Sequence, residues 1–282
     1  MNIHIIDTGF FKLDGGAMFG VVPKSLWNKQ NPADEKNLCS WAMRCLLIED
    51  GERLILIDTG MGNKQDTKFF GHYDLHGDAT LLGSIRDKGF EPADITDVLL
   101  THLHFDHVGG AVSFSKDNSQ LLPTFPNATY WSNEAHWNWA VNPNPREKAS
   151  FLKENILPLQ ESGQLQFIQN KTSPFEKLDF IYVDGHTEQM MLPVISYNDR
   201  KLIYVADLLP SSFHIPLPWI MSYDMRPLQT MDEKQQILKN AADENHILLF
   251  EHDPLYEAGI VEHTEKGIRI RERGKLSDFI GE

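Results

Sequence analysis

Cysteine is nearly absent from this chain of 282 residues: Cys39 and Cys45 are the only two. If residues 40–48 form a strand, the two thiols stand about 20 Å apart along it, far beyond disulfide reach. A disulfide framework is therefore excluded, and a reducing compartment fits. Basic charge is also scarce, with 26 Lys and Arg against 40 Asp and Glu and a net charge of −14. So acidic a surface repels phosphate backbones and anionic lipid, so neither nucleic acid nor a membrane is expected as a partner. An anionic small substrate stays compatible with it, because a bound metal ion changes the local field. No apolar run approaches the roughly 20 residues that span a bilayer. The first ten residues, MNIHIIDTGF, carry neither a basic n-region nor a long apolar h-region, so no signal peptide is expected and a cytoplasmic location is the default. Short-period repeats and low-complexity tracts are missing as well.

What remains is an ordinary globular composition, 41% hydrophobic and 23% charged. Strand-like runs recur. Met1–Ile6 comes first, then Phe10–Leu13 and Ala17–Val22, joined through Asp14-Gly15-Gly16 as a hairpin whose glycines would let it move as a lid. Ala42–Ile48 and Arg53–Ile57 flank the turn signal Asp50-Gly51. Helical patterns cover Ala79–Lys88, closed by Gly89, then Asn133–Ala140 and Arg146–Asn155 on either side of Asn142-Pro143-Asn144-Pro145. Met231–Glu244 follows, with Thr230 and Glu233 in capping-box spacing. Two batches of strands, each followed by helices, predict two packed sheets with helices outside, a four-layer α/β arrangement.

The densest chemistry lies in six residues, His102-Leu103-His104-Phe105-Asp106-His107, after the apolar run Val98–Thr101 and before Gly109-Gly110. Three imidazoles and a carboxylate crowded at one loop have little structural use and an obvious metal-binding one. At this chain's own frequencies such a string arises in about one sequence in a thousand, so chance explains it poorly. Three more apolar, β-like runs each deliver one candidate ligand at their C-terminal end: Asp179–Gly185 leads to His186, Lys201–Ala206 to Asp207, and Asn245–Glu251 to His252. Strand ends are where α/β folds commonly build sites. Taken singly, His186 and His252 read more readily as core histidines bonded to backbone, and Asp207 reads equally as a cap or turn residue.

Four blocks taken together resemble the metallo-β-lactamase superfamily: THLHFDHVGG at 101–110, DGHTEQ at 184–189, ADLLPSS at 206–212 and FEHDP at 250–254, with LILIDTGMG at 54–62 upstream. The resemblance covers most of the chain and implies a single hydrolase domain over residues 1–282 with an αββα sandwich. It also implies two divalent cations, with His102, His104 and His186 holding the first, Asp106, His107 and His252 the second, and Asp207 bridging both. Nitrogen and oxygen donors without thiolate suit Zn²⁺ and also Mn²⁺, Fe²⁺ or Co²⁺. Asp58 would stand behind the ligands and orient a histidine. The bridging carboxylate separates the chain from the classical β-lactamases. Such a pair of cations, about 3.5–4 Å apart, lowers the pKa of a shared water to near neutrality and polarises the substrate oxygen. Asp106 would carry the proton.

The stretch from Asp207 through Trp219 to Tyr223-Asp224 resembles the quorum-quenching branch, the YtnP-like lactonases, which open N-acyl homoserine lactones. The smaller lactonases of that branch place a substrate-facing tyrosine three residues after the bridging aspartate. Here that position is Pro210, and His214, Trp219 and Tyr223 are the candidate substrate contacts. Phe19, Trp27, Phe69, Phe70, Trp137, Trp139 and Trp219 are candidates for core or for an acyl-chain pocket. Three other functions compete on the same residues: an organophosphate or aryl ester hydrolase, a glyoxalase II-like thioesterase, and a non-catalytic binding protein on the same fold. The thioesterase would need a basic clamp late in the chain, whereas Lys266, Arg269, Arg271, Arg273 and Lys275 alternate as an exposed edge strand does. A homodimer is implied by the resemblance alone.

Overall fold

The structure is a computed structural model that describes residues 1–281. It divides into two compact units, each made of two stretches of chain: residues 1–9 with 43–174, and residues 10–42 with 175 onward. Strands β1 (Asn2–Asp14) and β2 (Leu38–Asp50) change unit part-way along their length.

In the first unit β2 pairs antiparallel with β3 (Arg53–Ile57) across the Asp50-Gly51 turn, as the sequence predicts. β3 then runs parallel to β4 (Asp97–Leu99), β4 to β7 (Thr129–Ser132) and β7 to β8 (Leu165–Phe167). The short hairpin β5 (Val112–Phe114) and β6 (Leu121–Pro123) stands apart as its own sheet. β3 and β4 are buried along almost their whole length, as expected of parallel strands covered on both faces. Ile6, Leu47, Leu56, Ile85, Val98, Tyr130, Ile156 and Leu159 form the core of this unit. The helix Leu81–Asp87 is capped by Thr80, whose hydroxyl accepts from Gly83 N–H at 3.1 Å. Asn133 caps Glu134–Val141 in the same way. The helix expected over 146–155 is displaced: residues 145–150 form turns and the helix is Lys153–Glu161. The Asn144 side chain accepts from the N–H groups of Arg146 and Glu147 at 2.9 and 3.1 Å, a local turn that competes with helix.

The second unit holds a six-stranded sheet in the order β14 (Gly267–Gly274), β13 (Ala258–Thr264), β12 (Ile247–Leu249), β11 (Arg200–Tyr204), β10 (Met190–Tyr197), β9 (Leu178–Val183). β10 is antiparallel to both β9 and β11, and β11 is parallel to β12. β9, β11 and β12 therefore point the same way, and their carboxyl ends share one end of the sheet. The basic strand β14 is the sheet's edge, as its alternation predicts. Among the described residues no helix is long and apolar enough to cross a membrane.

The hairpin expected over residues 10–22 does not form. β1 runs unbroken to Asp14, and Gly15–Phe19 is a short helix. Asp14 is its N-cap, accepting from Ala17 N–H at 2.9 Å, while its other oxygen accepts from the Asn37 side chain at 2.9 Å. The Asp-Gly-Gly sequence thus starts a helix where a turn was expected. Asp14→Ala removes both bonds and is expected to lower unfolding stability by about 1–2 kcal/mol in urea titration; an unchanged midpoint would refute the capping role.

Candidate metal centre

The first unit brings together His102, His104, Asp106 and His107 on the loop that leaves β4. Behind them lies Asp58 at the end of β3, fully buried and in the left-handed region at φ 56. Its carboxylate accepts from Thr101 N–H (2.8 Å), Thr101 Oγ1 (2.6 Å) and His107 Nδ1 (3.1 Å). Thr101 Oγ1, having donated its proton to Asp58, accepts from His102 Nδ1 at 3.0 Å. His104 donates through Nε2 to Glu147 at 2.9 Å, and Glu147 also accepts from Trp139 Nε1 at 2.6 Å. The backbone is packed just as closely. A Cβ on Gly109 would lie 2.0 Å from the Met61 carbonyl oxygen, and one on Gly110 2.2 Å from that of Thr59. Only glycine fits at either position. His136 accepts the Leu103 N–H at 2.9 Å and serves as a buried support.

The second unit brings together His186, Asp207 and His252 at the shared carboxyl end of β9, β11 and β12. His186 donates through Nδ1 to Asp224 at 3.0 Å, and its Nε2 lies 3.1 Å from Asp207. His252 donates through Nδ1 to the Ala42 carbonyl at 2.7 Å, and its Nε2 also lies 3.1 Å from Asp207. Burial favours a neutral His186 ring, but the Asp207 and Asp224 carboxylates on its two nitrogens outweigh it and hold its pKa up to about 10.

These bonds fix the tautomers. Carboxylates and carbonyls only accept, so the anchored nitrogen of each ring carries a hydrogen, and the other nitrogen is the one a cation could take in place of a proton. In the second unit two such nitrogens, on His186 and His252, face the oxygens of one carboxylate. In the first unit His107 Nε2 faces Asp106 at 3.7 Å. Positive charge belongs between such atoms. Two donors each about 2.0–2.1 Å from a tetrahedral cation stand about 3.3 Å apart, a spacing these distances bracket. The residues therefore fit divalent metal in both donor type and spacing. Three of the anchors, Glu147, Asp224 and the Ala42 carbonyl, escaped the sequence reading; the capping-type run at Asn144 is the one hint of the first.

His214 is buried, donates through Nε2 to the Met18 carbonyl at 2.9 Å and accepts through Nδ1 from Ser211 Oγ at 2.8 Å. It stacks on Phe19 at 4.9 Å, and Phe19 in turn stacks on Trp27 and meets Trp219 edge-on. Both of its nitrogens are bonded within the protein, as a structural hydrogen bonder's would be. Phe19 and Trp27 are buried in the same cluster, Trp219 is half-buried, and Tyr223 is exposed. Pro210, where the tyrosine was expected by resemblance, is buried and its carbonyl accepts the His252 N–H at 2.9 Å.

Residues 44–252, well over half of the chain, match the metallo-beta-lactamase superfamily. The chain belongs to that superfamily. An N-acyl homoserine lactonase of Bacillus cereus is 24% identical over 241 residues, covering 81% of this chain and 86% of that protein. A solved structure of a probable metal-dependent hydrolase from Staphylococcus aureus is 28% identical with a TM-score of 0.87, covering 97% and 96% of the two chains. AidC, described as a dizinc quorum-quenching lactonase, is 24% identical with a TM-score of 0.78, covering 95% and 92%. The metallo-β-lactamase fold expected from the sequence is thereby borne out, and with it a metallo-hydrolase.

Two measurements test the site. Glu147→Leu frees the His104 ring and is expected to weaken metal binding about 10–100-fold at nearly wild-type stability, read by chelator competition; unchanged affinity would remove Glu147 from the site. Burial pushes the His214 pKa down to about 3 from 6.5, so between those values the unfolded chain binds more protons and stability falls as pH drops. His214→Phe should flatten that acid limb in urea midpoints measured across the window, whatever its effect at neutral pH. Parallel limbs for the two proteins would show that the ring is not held neutral.

Proposed function

We propose that this chain is a binuclear metal-dependent hydrolase that opens N-acyl homoserine lactones. His102, His104 and His186 would hold one cation and Asp106, His107 and His252 the other, with Asp207 bridging, and Zn²⁺ suits the donor set. The observation that carries the reading is the set of five histidines, each tied through one ring nitrogen to a fixed acceptor. Core histidines have no need of that uniform orientation, and metal ligands do. The lactonase names among the relatives support the choice of substrate.

Two divalent cations would supply a nucleophile from water near neutral pH and polarise the scissile carbonyl. The chain's own residues do the rest. Asp58, Glu147 and Asp224 hold the imidazoles in one tautomer, so no reorientation accompanies turnover. Asp106 takes the proton of the attacking water and returns it to the ring oxygen as it leaves. Trp219 and Tyr223, neither of them buried, are the residues we assign to the substrate side.

The deciding experiment assays purified protein against short- and long-chain acyl homoserine lactones, aryl esters, phosphotriesters and glutathione thioesters, with elemental analysis of the same sample. Lactone turnover with two equivalents of metal per chain is expected; preference for a phosphotriester or thioester would reassign the substrate. Asp106→Asn should keep most of the metal and lose about 100-fold or more in kcat. Wild-type turnover by that variant would refute its role as proton carrier.

A further inference from the structure

The helix Pro227–Glu244 starts four residues earlier than its capping-box pattern predicts, with Pro227 in the first turn. Glu233 is thereby released from any capping duty. Its two carboxylate oxygens accept instead from the backbone N–H groups of Asp184 (2.8 Å) and Gly185 (3.0 Å), the residues just before His186. Thr230, one turn earlier, packs so tightly on Gly185 that a Cβ there would lie 2.4 Å from its hydroxyl. The carbonyls of the same loop are held from the other side. Gly185 O accepts from Arg226 N–H at 2.8 Å, and His186 O from Met225 N–H at 3.1 Å.

The next residue on the helix, Lys234, is fully buried. Its ammonium donates to three carbonyl oxygens, those of Pro216 (2.9 Å), Leu217 (3.2 Å) and Trp219 (2.7 Å). These lie midway along the segment from Asp207 to Asp224, the two carboxylates that bracket the His186 ring. Burial pushes its pKa down to about 7, with Asp224 acting in the opposite direction. A buried lysine is costly unless its donors are used, and here all three are.

We infer that Glu233 and Lys234 form a positioning pair, one gripping the loop that carries His186 and the other the segment that carries Asp224 and Trp219. This rests on the reading of His186 as a metal ligand. Neither residue touches the candidate ligands directly. They act by fixing the backbone from which His186 and its acceptor Asp224 project, because an error of about 1 Å in such a frame is enough to lose a site.

The test is Co²⁺ titration of the metal-free protein, followed by visible absorption and chelator competition, with kcat and KM for a lactone measured alongside. Glu233→Ala and Lys234→Met are expected to weaken one equivalent of Co²⁺ about tenfold, alter its absorption band, and lower kcat at nearly constant KM. Glu233→Gln, which keeps one acceptor oxygen, should recover most of the affinity. Ile237→Val, a core change on the same helix, should lower Tm and leave Co²⁺ binding alone. If Lys234→Met does not fold, the Glu233 variants decide. Wild-type Co²⁺ binding by Glu233→Ala, alongside a loss in His186→Ala, would overturn the positioning pair. Wild-type binding by His186→Ala would instead overturn the metal reading beneath it.

Discussion

Two ring nitrogens held against one carboxylate are the constraint on which this site depends. His186 and His252 each donate from Nδ1 to an acceptor that cannot donate back, so it is their Nε2 atoms that meet Asp207, at 3.1 Å. The arrangement is unfavourable until a cation or a proton lies between the partners. The raised pKa of His186 is the same demand expressed in protons. A fold that buries such a cluster and fixes its tautomers has arranged electrostatic need in advance, and metal binding satisfies it. The first unit repeats the device with Asp58, which serves Thr101 and His107 directly and His102 through the threonine hydroxyl.

The donors of this centre were legible in the sequence, and their orienting partners were not. His102, His104, Asp106 and His107 stand within six residues, and His186, Asp207 and His252 each follow an apolar run that becomes β9, β11 or β12. Such runs are recognisable because they are rich in apolar and aromatic strand formers, and β11 and β12, which pair in parallel, are also largely buried. Glu147 lies 43 residues from His104, Asp224 lies 38 from His186, and Ala42 lies 210 from His252. Apart from the turn at Asn144 just before Glu147, nothing local marks them. A carboxylate that orients a ring needs only to be within reach in space, and one of the three partners is a backbone carbonyl, which has no sequence signature at all.

The elements that were misread share a cause. Asp14-Gly15-Gly16 satisfies the preferences of a hairpin turn and those of a helix N-terminus, because a short side-chain acceptor followed by small residues suits both. Thr230 and Glu233 have capping-box spacing, yet the helix begins at Pro227 and Glu233 turns to the 184–185 backbone. In each case the local rule is chemically correct about which atoms want partners. Tertiary contact decides which partners they take, Asn37 for Asp14 and the His186 loop for Glu233.

The basic C-terminal strand bears on substrate choice for the same reason. Arg273 lies over Tyr256 at 4.2 Å and Phe213 at 5.5 Å and donates to Ser212 Oγ at 3.0 Å. Arg271 donates to the Asn245 side chain and Arg269 to the Ile268 carbonyl. Three of the cations that could clamp the carboxylates of glutathione are thus already engaged in packing the edge of their own sheet. An edge strand lined with charge resists pairing with another chain, which accounts for its composition without a ligand. A thioesterase built on this chain would need its anion clamp elsewhere, in a protein carrying fourteen more negative than positive side chains. A neutral ester makes no such demand.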